Sequence, residues 1–227
     1  MKIYQAFFVI LGSLVVLSIG VVGVTKKSSG KCIQVFYDRK EATVPLMRAL
    51  RMYSDYRLNS LRISDYQSGD FDRCQASFVV SVENEHKIPK VLLNEFSNNQ
   101  KNISWLGGNI WQLGDQLEKT LGLRYIGKSS GISPWMDLYY RGKISRQKSS
   151  NDDGVHLIFL PLNIEKAEIL VEARYFDNRE LVPYLVHTGN VYYLANVNIG
   201  PAIEEFLPEM VGVPPTSGRQ LVGGVSE

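Results

Sequence analysis

The sequence predicts an α/β protein with a doubly wound parallel sheet, which β-hairpins extend in the C-terminal part and an N-terminal transmembrane helix precedes. Three observations predict this fold. Residues 3–24 carry no charge. Between residues 32 and 122, short apolar runs alternate with helical patterns of about 10–15 residues, which is typical of βαβ units. After residue 122, polar or glycine-containing breaks separate alternating runs, as in hairpins.

The uncharged N-terminal segment is bounded by Lys2 on one side and by Lys26 and Lys27 on the other. A stretch of about 20 apolar residues can cross the hydrocarbon core of a bilayer. A secretory signal has a shorter apolar stretch of about 7–15 residues, followed by a cleavage site. The length favours an uncleaved anchor, and a cleaved signal is the alternative. The flanking lysines barely discriminate between the two orientations.

The first half of the remaining chain predicts four strands and three helices. The predicted strands are residues 32–37, 61–63, 78–82 and 103–106. The predicted helices are 43–56, 90–96 and 110–121, with apolar side chains at three- or four-residue spacing. Asn109 is predicted to cap the third helix, and Gly122 to end it.

The second half predicts strands and one further helix. The strands are residues 139–144, 155–160, 167–174, 181–187 and 191–197, and the helix begins at Pro201. The predicted organisation is therefore a membrane anchor or signal over residues 1–27, a single α/β domain over 32–213 and a flexible tail over 214–227.

The charge balance bears on the kind of partner. The chain has 25 Lys and Arg against 23 Asp and Glu, and residues 1–27 contain three Lys and no acid. The remainder is therefore close to neutral, whereas a nucleic-acid-binding domain normally has a basic face. We expect no nucleic-acid partner.

The only two cysteines, Cys32 and Cys74, each stand at the beginning of an apolar run. If those runs are adjacent parallel strands, both cysteines lie at the same edge of the sheet. A disulfide between them is predicted, and it would place the domain in an oxidising compartment outside the cytoplasm. Two buried free thiols are the alternative.

Candidate catalytic residues follow the first and third predicted strands. Ligands of open α/β sheets bind beyond the carboxyl ends of the strands. Asp38 and Glu83 lie at such ends and could form the carboxylate pair that acid–base chemistry on a sugar requires. His86 follows in the same loop. The alternative is structural: Asp38 caps or pairs with its neighbours, and Glu83 is solvated.

A second candidate is the turn after the fourth strand. Two glycines between a strand and a helix let backbone amides approach a ligand closely. The predicted ligand-binding residues are Asp38, Trp105, Gly107, Gly108 and Asn109. A tight structural turn is the alternative, because the spacing of a dinucleotide site and the lysine of a P-loop are missing.

Other chemistry finds little support in the sequence. The turn where a nucleophile elbow would lie offers glycine and asparagine. The three histidines lack the spacing of a zinc site. We therefore predict no metal and no cofactor, and we favour a non-catalytic protein.

Four segments carry a resemblance to a known family. They are Tyr37-Asp38, residues 61–66 with Gly69-Asp70, the 105–109 turn, and Pro183-Tyr184 followed by residues 189–197. Residues 33–213 thereby resemble the N-terminal α/β domain of uncharacterised bacterial polysaccharide-deacetylase-like envelope proteins. That domain is similar in turn to flavodoxin-like and class I glutamine-amidotransferase-like folds. The chain lacks the HxxxH metal pair of the deacetylases and the amidotransferase nucleophile, so the resemblance implies an accessory domain without a catalytic half.

Three hypotheses on function result. The first is a membrane-anchored, non-catalytic domain outside the cytoplasm, in the periplasm or at the cell surface. It would have an accessory or binding role in cell-envelope polysaccharide metabolism, with the membrane contacted through residues 3–24 and a glycan or an envelope protein as partner. The second is a carboxylate-dependent hydrolase of a saccharide or small substrate. The third is a fragment or degenerate copy that keeps only the fold.

Overall fold

The computed structural model describes residues 31–83, 85–98, 100–129, 135–148, 156–161, 166–175 and 181–213. The predicted anchor or signal (residues 1–27) and the predicted tail (214–227) lie outside these residues. Within the described part of the chain, no helix is long and apolar enough to span a membrane.

The strands of the described residues belong to two sheets. They are β1 (Cys32–Tyr37), β2 (Arg57–Arg62), β3 (Ala76–Ser81), β4 (Asn102–Gly107), β5 (Leu123–Ser129), β6 (Trp135–Tyr140), β7 (Lys143–Lys148), β8 (His156–Pro161), β9 (Glu168–Tyr175), β10 (Val182–Thr188) and β11 (Val191–Leu194). Nine of them form a mixed sheet in the order β2-β1-β3-β4-β11-β10-β9-β6-β7, and β5 pairs with β8. The five strands from β2 to β11 are parallel, and the remaining four extend the sheet by antiparallel pairing.

Helices lie on both faces of this sheet, so the double winding is confirmed for the parallel half. They are α1 (Val44–Ala49), α2 (Lys90–Asn98), α3 (Asp115–Leu121), α4 (Pro201–Glu204) and α5 (Leu207–Val211). One core contains residues of α1, α4 and α5, and the other contains residues of α2 and α3. Strand β3 contributes to both, because Phe78 and Val80 face the first core and Val79 faces the second.

The sequence prediction differs from the structure in the hairpin region. A strand was expected over residues 139–144, but Arg141 and Gly142 form the turn between β6 and β7 with φ values of 45° and 74°. Two left-handed residues suit the twist of a two-residue hairpin. The strand expected over 191–197 ends at Leu194, where it pairs with β4 in parallel and with β10 in antiparallel orientation. Strand β5 was not predicted.

The helix predicted over residues 43–56 is also shorter and less regular than expected. The α-helical part, Val44–Ala49, lies between 3-10 helices at Lys40–Thr43 and Leu50–Met52. Pro45 occupies the first turn of α1, where its missing amide costs no hydrogen bond. Strand β2 begins at Arg57, whereas the predicted strand began at Leu61. The prediction missed the first part of β2 because this edge strand exposes polar side chains, which do not show the pattern of a buried strand.

A disulfide joins Cys32 and Cys74 at the amino edge of the parallel strands. Both residues are buried, and Cys32 begins β1 while Cys74 precedes β3 by two residues. The link spans a sequence separation of 42 residues. In the chain-entropy model such a loop contributes about 4 kcal/mol. The structure therefore contains the disulfide and not the two free thiols that the sequence left as the alternative.

Candidate functional site

The parallel strands place the candidate site residues at one edge of the sheet. Strand β1 lies between β2 and β3, so the chain order reverses beside it. In open α/β sheets the crevice at such a reversal is where ligands bind. Asp38 follows β1, Ser81 ends β3, and Gly107 ends β4. The sequence prediction thus identified the edge at which polar groups converge.

The carboxylate of Asp38 accepts four hydrogen bonds from the protein, three of them at Oδ2. Its Oδ2 accepts bonds from the Ser81 hydroxyl (2.9 Å), the Val82 amide (2.8 Å) and the Glu83 amide (3.0 Å). Its Oδ1 accepts the amide of Arg39 at 2.6 Å. Hydrogen bonds to a carboxylate are among the strong ones. Asp38 therefore binds the end of β1 to the end of β3.

Asn109 extends this network to the end of β4. Its Nδ2 donates to the Ser81 hydroxyl oxygen (2.9 Å) and to the Glu83 carbonyl (2.7 Å). The residue is 3% exposed. The predicted helix cap is wrong, because Asn109 has a left-handed φ of 60° and its side chain makes no cap hydrogen bond. We call Asp38, Ser81, Val82, Glu83 and Asn109 the carboxyl-edge network.

The two glycines of the predicted ligand turn lie against β3. Gly107 has a φ of 87°, and a Cβ atom there would lie 2.5 Å from the Ser81 carbonyl oxygen. The Gly108 amide donates to that same oxygen at 2.5 Å. Glycine is thus required at position 107 for the close approach of two backbone segments.

Trp105 was predicted to bind a ligand, but the structure places it in the core. The side chain is fully buried and packs edge-on against Phe96, with 5.3 Å between ring centroids. Its indole N–H donates to the Gly108 carbonyl at 2.7 Å. The indole therefore supports the glycine turn from inside the core and has no surface to offer a ligand.

The Glu83 carboxylate and His86 lie together and take no part in the hydrogen bonds of the carboxyl-edge network. The Glu83 backbone belongs to the network, but its carboxylate is 46% exposed and lies 3.3 Å from His86 Nδ1. Gln112 holds the His86 backbone, since its Nε2 donates to the His86 carbonyl at 2.6 Å. The structure therefore brings Asp38 and Glu83 together through the backbone, while the two carboxylates have different partners.

This arrangement limits what the edge can do chemically. A general base needs a lone pair directed at a substrate proton. At Asp38 Oδ2 three protein donors occupy those positions. Ser81 is fully buried, and its hydroxyl both donates to Asp38 and accepts from Asn109. Within the described residues, no group of three or more His, Cys, Asp and Glu could hold a metal ion.

Sequence reasoning missed a second polar cluster, on the α2 side of the sheet. Glu95 accepts hydrogen bonds from the Tyr66 hydroxyl (2.5 Å), the Ser68 hydroxyl and the Gly69 amide (2.9 Å). A cavity of about 440 Å³ lies beside it, lined also by Asp72. The sequence does not indicate this cluster, because the loop from Tyr66 to Gly69 is separated from Glu95 of α2 by 26 to 29 residues along the chain.

The Glu95 hydrogen bonds change the titration of two groups. Burial raises the pKa of the Glu95 carboxyl, but the bonds from Ser68, Tyr66 and Gly69 together outweigh it and hold that pKa below its usual value. Burial raises the pKa of the Tyr66 hydroxyl, and the bond to the Glu95 carboxylate raises it further. The ionised Glu95 carboxylate of α2 therefore holds the loop from Tyr66 to Gly69 against this helix.

Comparisons with known proteins show likeness at the level of the fold. No family model matches the chain, and no curated protein sequence matches it. Many solved structures share the fold, and three of them illustrate the low identity of the likeness. They are a carbohydrate deacetylase, Agd3 (10% identity, TM-score 0.52), a ThuA-like protein from Bacteroides uniformis (12%, 0.51) and a GMP synthase subunit from Thermoplasma acidophilum (8%, 0.51).

The extent of these matches differs. The likeness covers 79% of this chain but only 31% of the deacetylase. It covers 80% of this chain and 87% of the ThuA-like protein, and 80% of this chain and 93% of the GMP synthase subunit. The expected resemblance to deacetylase-associated and glutamine-amidotransferase-like folds is therefore confirmed for the fold alone.

The close approach at Gly107 can be tested against a glycine with a similar φ angle. Gly69 has a φ of 82° with open space around its Cβ position. We expect Gly69→Ala to lower the free energy of unfolding by about 1–2 kcal/mol, the cost of a left-handed alanine. Gly107→Ala should lose about 1–3 kcal/mol more, because the new methyl group displaces the Ser81 carbonyl. Urea denaturation measures both, and equal losses would contradict the account.

The Glu95 cluster predicts a pH dependence of stability. The folded-state pKa is lower than the ordinary value of 4.5, so the ionised carboxylate stabilises the fold above that pH. The contribution is lost as the pH falls through the folded-state pKa. The stability difference between the wild type and Glu95→Gln should therefore shrink below about pH 4.5. Urea denaturation from pH 7 to pH 3 measures it, with Glu41→Gln, which removes an exposed glutamate, as control. A constant difference over this range would show that the carboxylate charge is irrelevant.

Proposed function

We propose that this chain is a non-catalytic, glycan-binding domain that has an accessory role in cell-envelope polysaccharide metabolism and is held at the membrane through residues 3–24. The observation that carries the proposal is that three protein donors occupy Asp38 Oδ2. With the Arg39 amide at Oδ1, four protein donors bind the carboxylate. Asp38 therefore has a structural role, in which it holds the end of β1 against the end of β3.

The same geometry weakens the alternative of a carboxylate-dependent hydrolase. Glycosidases place two carboxyl groups about 5–10 Å apart, on opposite sides of the bond that they cleave. Asp38 is engaged with the β3 end, and the Glu83 carboxylate contacts His86. The two carboxylates therefore have different partners.

The disulfide supports a location outside the cytoplasm. Buried disulfides such as Cys32–Cys74 persist in oxidising compartments, which in bacteria means the periplasm or the cell surface. The uncharged segment of residues 3–24 would tether the domain there. The start of β1 follows this segment after a short polar stretch, so the domain would stand close to the membrane.

The carbohydrate class is supported by fold likeness to a carbohydrate deacetylase. This chain corresponds to about a third of that protein. A match to only this part of the deacetylase is consistent with an accessory domain of a larger carbohydrate-processing system. The catalytic step would then belong to another chain or domain, and the described residues would bind.

The proposal is tested by separating binding from turnover. The full-length chain in detergent micelles is incubated with acetylated and deacetylated cell-envelope polysaccharide. We expect polysaccharide to be retained on the protein without release of acetate or of new reducing ends. Co-sedimentation and colorimetric product assays measure the two properties.

Asp38→Asn and Asp55→Asn give the decisive comparison, because Asp55 is an exposed aspartate of a turn. Turnover by the wild type that Asp38→Asn abolishes and Asp55→Asn preserves would establish the hydrolase instead. Absence of polysaccharide retention would also contradict the proposed function.

A further inference from the structure

The arginines of this protein are divided into two groups by their partners. Outside residues 39–62, every described arginine pairs with a carboxylate; these are Arg73, Arg124, Arg141, Arg146 and Arg174. Inside that segment lie five more, Arg39, Arg48, Arg51, Arg57 and Arg62. Among the residues that the structure describes, none of these five has a carboxylate within the 4.0 Å of an ion pair.

The segment is basic although the protein is not. Residues 39–62 contain six Lys and Arg against two acids, Glu41 and Asp55, whereas the whole chain has 25 against 23. Positive charge is therefore concentrated on the side of the sheet formed by α1 and the edge strand β2. A concentration of unpaired charge attracts ligands of the opposite sign.

Part of this charge lines a groove between α1 and β2. The groove has a volume of about 310 Å³, and its cations are Lys40, Arg48 and Arg51, all exposed. Lys40 begins the 3-10 helix before α1, and Arg51 lies just after α1. At 1.5–2.0 Å per residue, the cations extend over roughly 15–20 Å. The groove therefore presents a row of charges and not a single pocket.

The surface between these cations is apolar and hydroxylated. Val44 is 53% exposed, and Met47 is half-buried beside it. On the strand side, Ser60 pairs with Val35 of β1 and exposes its hydroxyl along the groove. A sugar ring offers both hydroxyl groups and apolar C–H faces, so such a surface suits it.

Protection of the sheet edge explains only some of the basic residues. Charged side chains on an edge strand discourage pairing with another chain. Arg57 and Arg62 lie on β2 itself and can serve that purpose. Lys40, Arg48 and Arg51 lie on the helical side, where no strand edge needs protection.

We propose that this groove binds an extended anionic polysaccharide, with Lys40, Arg48 and Arg51 contacting its acidic groups. This inference rests on the proposed function for the choice of a polysaccharide over another polyanion. Because its cations form a row along the groove, the groove accommodates an extended chain. Lys40 and Arg48 are placed to bind acidic groups on either side of the sugar that Val44 contacts, and Arg51 is placed to bind the next acidic group.

The test uses the full-length chain in detergent micelles and polygalacturonate as the probe. We expect polygalacturonate to bind, neutral dextran of the same chain length not to bind, and affinity to fall as salt is raised. The double variant Arg48→Gln/Arg51→Gln should weaken binding by about tenfold. The control Lys90→Gln/Lys119→Gln removes two exposed lysines from α2 and α3 on the other face, and should leave the affinity unchanged. Thermal unfolding verifies that both variants are folded.

Three results would overturn the proposal. They are equal binding of dextran and polygalacturonate, equal weakening in both double variants, and binding to vesicles with anionic lipid while polygalacturonate is not bound. The proposed function fails separately from this inference. Retention of neutral envelope glycans without polygalacturonate binding would reject the groove alone, and hydrolysis of bound polygalacturonate would reject the non-catalytic role alone.

Discussion

Three parallel strands of this protein are fastened at their carboxyl ends by a hydrogen-bond network that begins at one carboxylate. Asp38 after β1 accepts the Ser81 hydroxyl and the next two backbone amides after β3. Asn109 then connects Ser81 to the turn after β4. The disulfide fastens β1 to the β3 side at the opposite edge. Both ends of the central strand pair are therefore fixed, and the loops that could form a binding crevice are held against the sheet.

The fold was largely predictable where its signals are local. The apolar runs of β1, β3 and β4, and the spacing of α2 and α3, identified these elements from sequence. The hairpin turn at Arg141-Gly142 was missed because the sequence prediction joined the apolar side chains of β6 and Ile144 in one continuous strand. Ile144 belongs to the next strand, β7, and is 64% exposed. The place of β11 could not be predicted, since its parallel pairing with β4 joins segments about 90 residues apart and no local pattern encodes that partner.

The candidate site was predictable as a place but not as an arrangement. Asp38 and Asn109 were selected because they follow strands, and both lie in the network. Ser81 links them but escaped notice, although a hydroxyl near the end of an apolar strand is a signal that could have been used. Trp105 was misassigned because sequence does not distinguish a buried indole from an exposed one. The arginine distribution became informative only when ion-pair partners were known, since composition alone gives a nearly neutral protein.

The central claim is that the Asp38 carboxylate is a brace for the backbone after β3. Amide hydrogen exchange of Val82 and Glu83 tests it most directly, with the Phe78 amide in the middle of β3 as reference. The account predicts that both amides are protected in the wild type and exchange at least about tenfold faster in Asp38→Ala, while Phe78 changes much less. Unprotected amides in the wild type, or equal protection in Asp38→Ala, would contradict it.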